Sequence, residues 1–145
     1  MFKTYLAFVA FTLSLVGCAS VPMGDPQKDT TAKQFTASPD KSGVYVYRNE
    51  SFGGAIRMDV AVDSKPLGQT ASKTYFYTEV EPGKHSITSK SENTDTLEIE
   101  TAPGKLYYVW QEVKMGVIYA RTKLHLVEES EGQKGVLESK LAAPQ

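Results

Sequence analysis

The chain has 145 residues, 41% hydrophobic and 23% charged, which suits one ordinary globular domain plus some extra chain. Lys and Arg total 16 against 17 Asp and Glu, a net charge of -1 without the basic field of a nucleic-acid binder, so nucleic acid is not an expected partner. The single cysteine excludes an internal disulfide and a cysteine-based metal cluster.

Met1-Phe2-Lys3-Thr4 is a short positive start, and the stretch from Tyr5 to Val16 is apolar apart from Thr12 and Ser14. It falls short of the roughly 20 apolar residues a spanning helix needs and has the length of a secretory signal peptide. It ends in Leu15-Val16-Gly17-Cys18, which resembles a lipobox. The resemblance implies a signal peptide over 1–17, cleavage between Gly17 and Cys18, and a diacylglycerol group on Cys18. Several acyl chains, each stabilised by about 0.8 kcal/mol per buried methylene, would hold the protein on a membrane. Ala19 and Ser20 follow the cysteine where an aspartate would signal retention. Under the sorting rule of Gram-negative lipoproteins, this implies the outer membrane, with the domain facing the periplasm.

The rest of 18–42, rich in Pro, Asp, Lys, Thr, Gln and Ser, has no sustained period and reads as a flexible tether. From Gly43 the pattern becomes that of an antiparallel β domain: short β-branched and aromatic runs separated by turn residues. Val44-Tyr45-Val46-Tyr47 opens it. Ile56, Met58, Val60 and Val62 then alternate with Arg57, Asp59 and Ala61. Asp63-Ser64-Lys65-Pro66 makes a turn, Leu67-Gly68-Gln69 a short return strand that Pro66 places at an edge, and Tyr75 to Val80 an aromatic strand. Pro82-Gly83 and Pro103-Gly104 are turn signals bracketing a hairpin of His85 to Ser89 and Thr96 to Thr101. Leu106 to Val113 and Ile118 to Val127 pair across Lys114-Met115-Gly116. Val136, Leu137 and Leu141 then suit one face of a short helix starting near Glu131. The expected fold for 43–145 is all-β: a small antiparallel sandwich or partly open barrel with a C-terminal helix packed on it.

The succession Gly43-Val44-Tyr45-Val46-Tyr47-Arg48, Val62 through Gly68, Glu81-Pro82-Gly83-Lys84-His85 and Gly104-Lys105-Leu106-Tyr107-Tyr108-Val109 resembles an uncharacterised family of bacterial lipoproteins with a DUF2846-type domain. The resemblance covers roughly Gly43 to Leu141. It implies a sandwich-like domain on a lipid anchor, and it brings no activity, substrate or catalytic residue.

No Gly-x-Ser-x-Gly elbow is present, and no free thiol remains once Cys18 is acylated, so no catalytic residue is assigned. His85 and His125 lie on separate strands and read as ordinary strand histidines, since metal sites need three or more convergent ligands. Glu98 and Glu100 share a strand face that alternation makes a solvated one. No metal or cofactor is expected. Tyr45 and Tyr47 share one face of their strand and Tyr75 and Tyr77 one face of theirs, so an exposed aromatic stripe is a candidate binding face. The alternative is a second sheet over one face and the C-terminal helix over the other. Arg48 beside them would bind an anionic group or pair with Glu50. These features favour a non-enzymatic module that binds another envelope component. A small-ligand carrier would need an apolar cavity, and an enzyme acting on envelope glycan or lipid would need Arg48, Glu98, Glu100 and the histidines to converge.

Overall fold

Ser42–Arg48 forms the central strand β1, buried along its whole length because it has a neighbour on each edge and cover on both faces. The computed structural model describes residues 20–145; the expected signal peptide, its cleavage point at Gly17 and the acyl site Cys18 lie outside the described residues. The other strands are β2 (Met58–Val62), β3 (Lys65–Thr70), β4 (Thr74–Val80), β5 (Gly83–Lys90), β6 (Thr94–Thr101), β7 (Leu106–Met115), β8 (Ala120–Val127) and β9 (Lys140–Leu141). They make a five-stranded sheet in the order β8-β7-β1-β4-β9 and a four-stranded sheet in the order β3-β2-β5-β6. The expected sandwich is present, open rather than closed into a barrel, with Pro66 on edge strand β3.

The sheets are not wholly antiparallel. β1 pairs with β7, and β4 with β9, in parallel. The chain makes its β5–β6 hairpin in the other sheet and returns beside the start of β1, so β7 runs alongside β1 in the same direction. Period-2 alternation reports which face a side chain takes and nothing about its neighbour's direction, so this pairing left no mark on the sequence.

Alternation along β1 separates two cores. Val44 and Val46 point between the sheets, where they meet Val60, Phe76, Ile87, Ile99, Val109 and Leu124. Tyr45 and Tyr47 point the other way, into a second cluster with Tyr75, Tyr108, Ala32 and Val136. Two helices cover that second face: α1 (Pro26–Ala32) and α2 (Glu129–Leu137).

Helix α1 corrects the expectation of a flexible tether. Asp25 caps it by accepting from the Gln27 amide at 2.7 Å, and Pro26 stands in the first turn, where its missing N–H costs nothing. Seven residues are too few for a stable isolated helix, so α1 depends on tertiary contacts. The Tyr45 hydroxyl donates to Ala32 O at 2.6 Å. Asp29 accepts from the Tyr75 hydroxyl at 2.6 Å, from Lys33 at 3.0 Å and from the Leu141 amide at 3.1 Å. Upstream, Val21 is buried in the inter-sheet core. The polar composition of 18–42 concealed this because α1 contributes one buried apolar side chain, Ala32, and otherwise docks through polar atoms.

The C-terminal helix starts at Glu129, and its inward face is Gly132, Gly135 and Val136. Of the face expected from Val136, Leu137 and Leu141, Val136 is buried, but Leu137 is exposed and Leu141 belongs to β9, so that face is corrected to Gly132, Gly135 and Val136. Its glycines let α2 approach the Tyr47 and Tyr108 rings closely.

Candidate interaction surface

The aromatic stripe is not a surface. Tyr45, Tyr47 and Tyr75 are at most 2% exposed, and Tyr77 is half-buried against Tyr45 with ring centroids 4.6 Å apart. Tyr45 also stacks on Tyr108 at 5.1 Å. Burial raises the hydroxyl pKa values of Tyr45, Tyr47, Tyr75 and Tyr77 above the ordinary phenol range, keeping them neutral donors. The candidate binding face is thus corrected to the floor on which both helices sit, and the alternative of two covered faces holds.

Arg48 is also fully buried, and it neither faces an anion nor pairs with Glu50. Its Nη1 donates to Ile56 O and its Nη2 to Gly53 O, both at 2.6 Å, which straps the loop between β1 and β2 over the end of the sandwich. Burial lowers its pKa, while the nearby Glu50 charge works in the opposite direction. A hydrogen-bonded chain continues across both sheets: Thr70 Oγ1 to Gln111 Oε1 at 2.5 Å, Gln111 Nε2 to Ser89 Oγ at 2.7 Å, and Ser89 Oγ to Thr122 Oγ1 at 2.6 Å. Hydrogen-bonded networks of this kind rigidify the part of the fold they cross, although the buried Nε of Arg48 has no partner among the described residues.

The residues weighed for catalysis do not converge. His85 and Glu98 and Glu100 border one shallow depression of about 350 Å³, but both His85 ring nitrogens are engaged, by Asp63 and by Glu81 O. Glu98 and Glu100 stand on the exposed face of β6, beside Ser86 and Lys84 across the strand pair. His125 is on the other sheet, stacked on Trp110 and bonded to Glu112 at 2.7 Å. Among the described residues, no group of three or more His, Cys, Asp or Glu is placed to hold a metal ion.

What the reading of the sequence missed is the end of the β7–β8 hairpin. Met115, Val117, Ile118 and Tyr119 are 80, 91, 85 and 51% exposed. β7 continues past Trp110, its last residue paired with β1, so at about 3.3 Å per residue the tip projects beyond the end of the central strand. Phe52, 54% exposed, is at the same end in the β1–β2 loop, where Gly53 packs on Val113 of β7. Lys114 and Arg121, paired across the hairpin and both exposed, stand at the base of the tip, where Glu112 lies 3.7 Å from Lys114 and Glu92 feels the Arg121 charge.

This tip is held in place. The Glu92 carboxylate, from the turn between β5 and β6, accepts from the amides of Val117 at 3.2 Å, Ile118 at 3.0 Å and Tyr119 at 3.1 Å. The Ile118 amide foremost, with those of Tyr119 and Val117, lowers the Glu92 pKa. Ser91, Asn93 and Asp95 bond the open edge of β8 at Ala120, Thr122 and Leu124, which blunts that edge and braces the hairpin. On the other side, Glu50 accepts from Trp110 Nε1 at 2.8 Å and from the Val113 amide at 2.7 Å. The sequence carried a signal for the tip: Val117-Ile118-Tyr119 is an apolar run at a hairpin turn, where polar residues are the rule.

Residues 38–122 match the family described as a protein of unknown function, DUF2846. The chain belongs to this family. The match begins upstream of β1 and ends within β8, so this DUF2846 domain carries the tip and most of both sheets. The chain is also similar to an uncharacterized protein of Haemophilus influenzae, at 38% identity over 140 residues, covering 94% of this chain and 82% of that one. Among the described residues, no helix is long and apolar enough to cross a membrane.

Proposed function

We propose that this DUF2846 protein is an envelope lipoprotein, anchored in the outer membrane through Cys18, whose domain is a non-enzymatic module that docks another envelope protein. The observation that carries the docking role is the apolar tip of Met115, Val117, Ile118 and Tyr119, exposed yet held by Glu92. A contiguous exposed apolar surface is stabilised by covering it, and holding its backbone beforehand lowers the entropy lost on binding. The exposed tip suits a partner with an apolar pocket, and the mixed charges at its base, Lys114 and Arg121 with Glu112 and Glu92, suit a polar rim. The anchoring role is supported by Leu15-Val16-Gly17-Cys18 at the end of the apolar N-terminal stretch.

The test uses a photoreactive amino acid in the full chain in a Gram-negative host, placed at Ile118 or, for comparison, at Thr96 on the polar sheet face. One discrete adduct from position 118, absent from position 96 and lost on Val117→Ser, supports docking through the tip; identical patterns from both positions overturn it. Intact mass and membrane fractionation of wild type and Cys18→Ser test the anchor. Acylated mass in the outer-membrane fraction, lost in the variant, is expected, and unmodified soluble wild-type protein refutes it.

A further inference from the structure

Among the described residues, the first to pack in the core is Val21, three residues after Cys18 in the sequence. Val21 is 7% exposed and packs in the inter-sheet core. The chain then runs along the C-terminal segment: Ala143 N donates to Pro22 O and Gly24 N to Leu141 O, both at 2.9 Å, and Met23 bridges Ala142. Asp29 fastens α1 to β4 and β9 just beyond. These contacts leave no slack between Val21 and α1.

Three residues extend at most about 11 Å. Lipid on Cys18 would therefore hold Val21 within roughly that distance of the acyl boundary, comparable to the roughly 5–8 Å depth of each headgroup layer. From this we infer that the edge made by residues 21–28 and the C-terminal segment lies directly against the phospholipid headgroups, and this rests on the anchoring reading above. The chemistry of the edge suits that place. Met23 is 49% exposed, and with Lys28 it lines a groove of about 660 Å³ between α1 and the sheet edge, together with Phe76, Leu141, Ala142 and Asp25, whose carboxylate is taken up by the Gln27 amide. An apolar side chain next to a lysine is the combination that settles at a membrane interface.

The same geometry aims the tip away. The N-terminal segment lies beside β9, and the tip joins β7 to β8 at the opposite edge of the sheet, four strand spacings or about 19 Å across. β4 and β9 run from the tip end of the sandwich towards the other end, and residues 24 to 21 follow them, so the chain from Gly24 back to Val21 heads away from the tip. A domain seated on this edge presents Ile118 to the space beyond the membrane.

Because the chain has one cysteine, which acylation blocks, cysteines introduced at Met23, Thr96 and Ile118 can each be labelled alone with an environment-sensitive fluorophore. The lipidated full chain is placed in phosphatidylethanolamine–phosphatidylglycerol vesicles that contain a headgroup quencher. The Met23→Cys label should be quenched and the Thr96→Cys and Ile118→Cys labels spared. Inserting about 12 Gly and Ser residues between Ser20 and Val21, about 40 Å of reach, should abolish the quenching at position 23. An unquenched Met23→Cys label on protein that is acylated by mass and floats with vesicles overturns the seating and leaves the anchor intact. So does quenching at position 118, and undiminished quenching after the insertion overturns the short leash as its cause. Protein that carries no acyl mass and does not float overturns the anchor and the seating with it.

Discussion

Gly135 of α2 lies against the ring of Tyr47: a methyl group on Gly135 would sit 2.1 Å from Cε2 of that ring. One turn earlier, the same addition on Gly132 would come within 2.2 Å of Tyr108 Cβ. Alanine favours an isolated helix over glycine by about 1 kcal/mol, but here the added carbon meets buried tyrosines that cannot swing aside, and overpacking of this kind costs about 1–3 kcal/mol. Gly135→Ala and Gly132→Ala should each lower the urea midpoint, whereas Leu137→Ala on the exposed side of α2 should change stability by less than about 0.5 kcal/mol. An unchanged midpoint for both glycine variants would show that α2 stands off the sheet.

Asp29 joins α1 to both β4 and β9. Burial acts to raise its pKa, but hydrogen bonds from Tyr75 and Lys33 outweigh it and hold the carboxyl below its ordinary value of 3.8. The stability it contributes is therefore present above 3.8 and lost as pH falls through the lowered value. Asp29→Ala, which leaves the Tyr75 hydroxyl and the Leu141 amide without their partner, should cost about 2–3 kcal/mol and open residues 21–32 to protease. Tyr75→Phe should cost about 1 kcal/mol by the same reasoning. Equal cleavage of wild type and Asp29→Ala would mean that Val21 alone holds this segment.

His85 and Asp63 give a second pH signature. The hydrogen bond from His85, with that from the Ser86 amide, holds Asp63 below 3.8. Burial disfavours the charged His85 ring, but its bonds to Asp63 and Glu81 O raise it above 6.5. The Asp63 share of stability is lost as pH falls below 3.8, and the His85 share, complete below 6.5, is lost as pH rises through the raised value. The stability difference between wild type and Asp63→Asn should peak between these limits. A difference that is flat from acid to alkaline pH would show that the pair carries no charge interaction.

Glu92 should control the order of the tip more than the stability of the domain. Glu92→Ala frees the amides of Val117, Ile118 and Tyr119, so their hydrogen exchange should accelerate while the global unfolding midpoint hardly moves. Gly116→Ala should act similarly, since a methyl group there would fall 1.6 Å from Glu92 Oε2 and displace the carboxylate. Unchanged exchange in both variants would mean that hairpin pairing alone orders the tip.

Much of the fold was legible. The runs from Val44, Met58, Tyr75 and Leu106 are strands near the expected bounds, because alternation and turn residues are local signals. Arg48 was legible as a residue but not as a role. Its position on the inward face of β1 follows from parity with Val44 and Val46, yet the carbonyls of Gly53 and Ile56 that accept from it arrive from a loop whose path the sequence does not encode locally. The tyrosines show the same division. Their shared face was readable, but their cover was not, since one helix meets them through glycines and the other through Asp29 and a backbone carbonyl.

By itself, the sequence determined most of the strands and the separation of valine and tyrosine faces, since each depends on neighbours a few residues apart. It set the last hairpin turn at Lys114 to Gly116, whereas β7 runs to Met115 and β8 starts at Ala120. It also contains the Cys18 pattern on which the anchor proposal rests. Only the tertiary structure decided that β7 lies parallel to β1, that Val21 enters the core, that the tyrosines are covered, and that Glu92 reaches a tip 25 to 27 residues away. Contacts between distant residues depend on which elements share a face and an edge, and local pattern carries no record of that.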